Sequence, residues 1–191
     1  MKSPSVILCC LCLLCACATN RPDHFYVLST QPQGPGEPRK SPAIQATLKV
    51  TLPSLVDRPE LVLNTSADGV TVLEHERWAA PLADLLTQTL ARDIERRRVD
   101  MLVSVPGASR PASVHLKLAI DIVQWTVHRG GQASIEAHWR IIDAHSGRET
   151  VGAEVFSAAA ASNGYADIAS ALSGSVAMLA DRVVAQLPHS D

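Results

Sequence analysis

Between Val114 and Ile141 the chain alternates twice, and few folds accommodate that pattern. Val114, Leu116, Leu118, Ile120 and Ile122 are separated by His115, Lys117, Ala119 and Asp121. After Gly130-Gly131, Ala133, Ile135, Ala137, Trp139 and Ile141 are separated by Ser134, Glu136, His138 and Arg140. A period of two puts all the apolar residues of a strand on one face, and the glycine pair supplies a turn. The segment therefore predicts a hairpin with one buried and one wet face. Asp143-Ala144-His145-Ser146-Gly147 predicts the next turn, and a strand near Glu149 to Ser157 follows it.

The rest of the body supplies what covers the dry face. Ile44, Ala46, Leu48, Val50 and Leu52 alternate up to Pro53, a further half-buried strand. Leu61-Val62-Leu63 reads as a short edge strand, Asn64 to Gly69 as a turn, and Val70 to Leu73 as a short extended piece. From Pro81, the residues Leu82, Leu85, Leu86, Leu90 and Ile94 recur at helical spacing. Proline suits the first turn of a helix, where its missing N–H would be unpaired anyway. The basic run Arg96-Arg97-Arg98 falls where positive charge complements the helix dipole and reads as a solvated helix end. Val99 to Val105 predicts a short strand before Pro106-Gly107, and Tyr165, Ile168, Leu172, Val176, Leu179 and Val183 mark a closing helix that ends by Pro188. The fold expected is α+β, an antiparallel sheet with two amphipathic helices packed on one face.

All five cysteines lie within the first seventeen residues, so nothing downstream can form a disulfide and the fold must rest on its core. Those residues carry Lys2, a short apolar run and Leu14-Cys15-Ala16-Cys17. The run is too short to span a bilayer and has the anatomy of a secretory signal. Its end resembles a lipobox, with Cys17 as the lipidated residue; Ala18 in place of Asp favours the outer membrane. The organisation read from this is a lipoprotein signal at 1–16, a lipidated segment and Pro/Gly-rich linker at 17–43, and one folded domain at 44–188. Within the linker region, His24-Phe25-Tyr26-Val27-Leu28 is an apolar island with strand-forming residues. A simple tether would not need it, so it is expected to pair with its own domain or with a neighbouring subunit.

A formal net charge of −2 gives no electrostatic case for nucleic acid. The seven histidines show no metal-ligand spacing, and no serine sits in a Gly-x-Ser-x-Gly elbow. Glu74 and Glu76 beside Arg77 read as surface charges, and His115 and His138 as imidazoles on one polar sheet face. No catalytic set and no cofactor motif emerges.

Two segments are more specific. Leu52-Pro53-Ser54-Leu55-Val56-Asp57-Arg58-Pro59-Glu60-Leu61-Val62 and Arg77-Trp78-Ala79-Ala80-Pro81-Leu82, with Phe25-Tyr26-Val27-Leu28 and Trp139-Arg140, resemble the ABC-type transport auxiliary lipoprotein family, PqiC-like. The resemblance implies a non-enzymatic, outer-membrane-anchored lipoprotein that faces the periplasm and serves an intermembrane lipid-transport system. Its implied partners are an MCE-domain protein and inner-membrane transporter components, and its implied assembly is a homo-oligomeric ring. Phe25, Tyr26, Leu28, Arg77 and Trp78 are the candidate interface residues. For Trp78 two readings stand: a hydrophobic lead-in to the helix, with Arg77 paired to Asp57 or Glu74, or a contact hot spot. Two other functions stay open, a periplasmic lipid carrier and a chaperone for outer-membrane proteins.

Overall fold

Alternation becomes geometry in a computed structural model that describes residues 21–31, 44–107 and 113–188. The signal, Cys17 and most of the linker lie outside the described residues. The two alternating runs form β6 (Leu116–Val127) and β7 (Gln132–Asp143), antiparallel, turning at Gly130 with φ 66°. A positive φ is where glycine has no steric cost. β8 (Glu149–Ala159) pairs antiparallel with β7 along its whole length. Leu116, Leu118, Ile120 and Ile122 face inward from β6, and Ala133, Ile135, Ala137, Trp139 and Ile141 from β7.

On the other side of β6 lies β2 (Ile44–Thr51), and beyond it β5 (Met101–Ser104), giving the order β5-β2-β6-β7-β8. Both of these contacts are parallel. The α+β class holds, but the sheet is mixed, not antiparallel throughout. Alternation says which face of a strand is buried and nothing about its direction. Direction comes from the crossover between β2 and β5, which carries α1 (Leu82–Arg97) and returns the chain to the end where β2 began. α1 packs on β2 and β5, α2 (Tyr165–Ala185) on β7 and β8, and the helices meet each other.

The same crossover supplies β3 (Glu60–Asn64) and β4 (Val70–Trp78), which with β1 (His24–Tyr26) from ahead of β2 form a second sheet in the order β1-β4-β3. β3 is an edge strand, as its sequence suggests. β4 runs well past Leu73, through Glu74, His75 and Glu76 to Trp78, so the carboxylates expected as surface charges ahead of the helix lie within a strand. Asn64 ties the two sheets together, its side-chain carbonyl accepting from the Val127 N–H at 2.9 Å.

The arginine cluster closing α1 is mostly not solvated. Arg97 has a side chain only 5% exposed and grips α2 through Asp181 at 2.5 Å and the Ala177 carbonyl at 3.0 Å. It also lies 3.4 Å from the fully buried Asp93, one helical turn back. Burial pushes the Asp93 carboxyl above the usual range, and Arg97 opposes that shift. Arg98 is bidentate to Asp100, which leaves Arg96 as the exposed member.

Candidate interaction cleft at the anchor-side strand

β1 supplies a parallel edge to β4, with Phe25 beside Arg77 and Tyr26 beside Trp78. The island therefore pairs with its own domain. Alternation sorts its residues: Tyr26 and Leu28 turn inward, Phe25 and Val27 outward. Tyr26 donates to Glu76 at 2.5 Å, and His24 lies 3.2 Å from the other oxygen of that carboxylate. Burial first, and then the bond and charge of Glu76, push the Tyr26 phenol up to about 12. Leu28 is buried against the helices; the Thr89 hydroxyl of α1 donates to its carbonyl at 3.2 Å. Next in line, the Ser29 N–H donates to the Ser173 hydroxyl of α2 at 3.0 Å. The segment after the predicted anchor is thus strapped to both helices.

Backbone bonds then stitch three distant segments together. The Trp78 N–H donates to the Pro59 carbonyl at 2.7 Å, and the Ala79 N–H to the Tyr26 carbonyl at 2.8 Å. Around these bonds opens a cleft of about 400 Å³, walled by Phe25, by Asp57-Arg58-Pro59, and by Arg77, Trp78 and Ala80 to Leu82. Phe25 is 62% exposed, an unusual position for an aromatic ring. Trp78 is 5% exposed and reaches inward toward Val62, Leu82 and Trp125, so its ring is a core group whose margin borders the cleft.

Asp57 puts a carboxylate in the cleft wall, and both arginines of that wall pair with Glu60. Glu60 accepts from the Arg58 Nε at 3.1 Å and lies 3.4 Å from Arg77 Nη2. The bond from Arg58, aided by Arg77, holds the Glu60 carboxyl below its usual range. Glu60, not Asp57 or Glu74, is the partner of Arg77, because the β3–β4 register sets it directly across the strand. Of the five candidate interface residues, Phe25, Arg77 and Trp78 meet at the cleft, while Tyr26 and Leu28 hold the strand that presents it. Asp57, Arg58 and Pro59 join them, and their place was legible only as part of a motif.

Elsewhere the polar residues do not converge. His115 accepts from the Gln45 N–H at 3.0 Å, whereas His138 sits across from Asp121, well along the strand. Among the described residues no group of three or more His, Cys, Asp or Glu is placed to hold a metal. The cleft offers apolar walls, aromatic edge and paired arginines, which is the chemistry of a contact surface.

The sequence profile of the ABC-type transport auxiliary lipoprotein component matches residues 26–184. The chain belongs to that family. A transport auxiliary lipoprotein is consequently what this fold serves. A search of curated proteins gives no match. Among solved structures, the crystal structure of an uncharacterized protein is similar, with TM-score 0.71 and 16% identity, covering 87% of this chain and 99% of the other. A Xanthomonas campestris protein from a domain family of unknown function is similar too, with TM-score 0.66 and 18% identity, covering 84% of this chain and 92% of its own. At such identities these two likenesses speak for the fold alone.

Proposed function

We propose that this family member is a non-enzymatic lipoprotein, anchored in the outer membrane through Cys17 and facing the periplasm. In this role it docks the conduit of an MCE/ABC-type intermembrane lipid-transport system. The observation that carries the reading is the cleft itself. It gathers the family-like Asp57-Arg58-Pro59 and Arg77-to-Leu82 segments around an exposed phenylalanine. Phe25 is also eight residues from Cys17, a reach of at most roughly 28 Å even when fully extended. A lipid-anchored domain would therefore hold this surface close to the bilayer, where a conduit must end.

Capture decides the matter. The full chain, extracted from membranes in mild detergent, should retain an MCE-domain protein, and Phe25→Ser with Arg77→Glu should lose it while the domain stays folded. Co-purification with an outer-membrane β-barrel instead would assign a chaperone role. A fixed ratio of phospholipid held by delipidated protein would assign a carrier. Cys17→Ser should release the protein from membranes without changing its melt, and retention after a carbonate wash would remove Cys17 as the anchor.

A further inference from the structure

Three histidine–carboxylate contacts occur among the described residues, and the two shorter ones join the same two segments. His75 Nδ1 lies 3.0 Å from the Asp23 carboxylate, and His24 Nδ1 lies 3.2 Å from that of Glu76. His138 and Glu136, 3.5 Å apart, are neighbours on one strand. Both shorter contacts therefore bridge β4 and the segment that carries β1. Alternation puts them on opposite faces of the pair. Asp23 and His75 share the face of Phe25 and Arg77, and His24 and Glu76 that of Tyr26 and Trp78.

β1 needs such help. It is three residues long, the shortest strand described, and a short parallel pair supplies few backbone bonds. Each Nδ1 faces a carboxylate, which only accepts, so the contact requires a proton on that nitrogen. A neutral imidazole has one N–H and can place it on either nitrogen, whereas a charged one donates from both. Charging the ring also adds the attraction of opposite charges to a bond that the carboxylate alone had assisted. Other charges on the two faces are few. Near His75 stands Arg77, which pairs with Glu60 as Arg58 does, and Arg21 precedes Asp23 in the chain. Near His24 are Glu74, one alternation along β4, and Tyr26. Tyr165 of α2 acts on the Tyr26 phenol and carries Arg129 over its ring at 5.2 Å.

We propose that β1 is a clasp that histidine protonation tightens. Charging His24 and His75 makes ion pairs with Glu76 and Asp23, one on each face, and holds the strand against β4. Phe25 rides on that strand, so a wall of the cleft is set by the same two contacts. Histidine ordinarily changes charge between about pH 5 and 8, a range in which carboxylates stay ionised. That fixes the sign. A contact that prefers the charged ring is strongest at the acid end of the range and weakens as pH rises through it. The clasp depends on strand pairing alone and stands whether or not the cleft receives a conduit.

Amide hydrogen exchange on the full lipidated chain in mild detergent tests the clasp. The Ala79 N–H, which donates to the Tyr26 carbonyl, reports whether the strand is seated. After correction for the intrinsic dependence of exchange on pH, Ala79 and residues 24–28 should be better protected at about pH 5.5 than at about pH 8. Two exposed ion pairs set the expected difference at about 2- to 30-fold. His24→Gln with His75→Gln should erase it, and either substitution alone should leave part of it. Asp23→Asn, which keeps both rings, should shrink it as His75→Gln does. Equal corrected protection of the wild type at both pH values would overturn the clasp. So would a difference that survives in the double variant, or an Asp23→Asn chain as pH-dependent as wild type.

Discussion

The two sheets of this protein are held by different means. In the five-stranded sheet each strand contributes its own apolar face, and the two helices seal it. The three-stranded sheet has no such face along the second half of β4, where Glu74 to Arg77 are polar. There it is held by cross-strand polar pairs, by Trp78 driven into the core beside Leu61 to Leu63 of β3, and by a strand borrowed from some fifty residues earlier in the chain. Half-buried strands specify themselves; a small peripheral sheet needs its neighbours to exist.

Trp78→Ala strikes the small sheet at its largest buried side chain and should have the largest effect. Truncating a buried Trp costs about 3–5 kcal/mol, so a urea melt should show a marked loss. If stability is unchanged, Trp78 is not what ties the sheet to the core.

The counterpart in the large sheet is Gly152. A Cβ there would come within 2.3 Å of the Trp139 ring, which lies over the glycine while its Nε1 donates to Gln186 at 2.7 Å. Gly152→Val is expected to cost about 1–3 kcal/mol by overpacking and to disturb the near-ultraviolet signal of tryptophan. An undisturbed tryptophan environment would refute that close packing.

A smaller effect falls on the borrowed strand. Tyr26→Phe removes the bond to Glu76 and should cost about 1 kcal/mol. The sign of its pH dependence follows from the raised phenol. A group whose folded pKa of about 12 exceeds its unfolded value stabilises fully below pH 10 or so and ceases to as pH rises toward 12. Alkaline melts of the wild type should thus lose stability over that window, and Tyr26→Phe should remove the loss. Identical alkaline profiles would count against the Tyr26–Glu76 bond.

Phe25→Ser should change stability least, within about 0.5 kcal/mol, since the ring is largely exposed. A large destabilisation would mean that Phe25 serves the fold, and the cleft would lose its standing as a contact surface.

Legibility in the sequence follows the same division. β2, β6, β7 and both helices could be read because a buried face repeats every two residues or every three to four. β4 beyond Leu73 could not, because a polar run carries no period. The partner of Arg77 was equally hidden: Asp57 and Glu74 are near it in sequence, but Glu60 is across from it in register. Arg97 read as solvated, since nothing local announces that Asp181 lies opposite on α2.

By itself, then, the sequence determined the inward residues, the helix boundaries near Pro81 and Pro188, and the turns at Gly130 and Gly147. These are local matters of period, φ and missing donors. Only tertiary structure decided strand direction, the second sheet, and the meeting of Phe25, Pro59 and Pro81 around one cleft. Those depend on which distant segments satisfy each other's backbone groups, as Pro59, Trp78, Tyr26 and Ala79 do. Local pattern has no access to that pairing, because it is settled by contacts from about twenty to more than fifty residues apart.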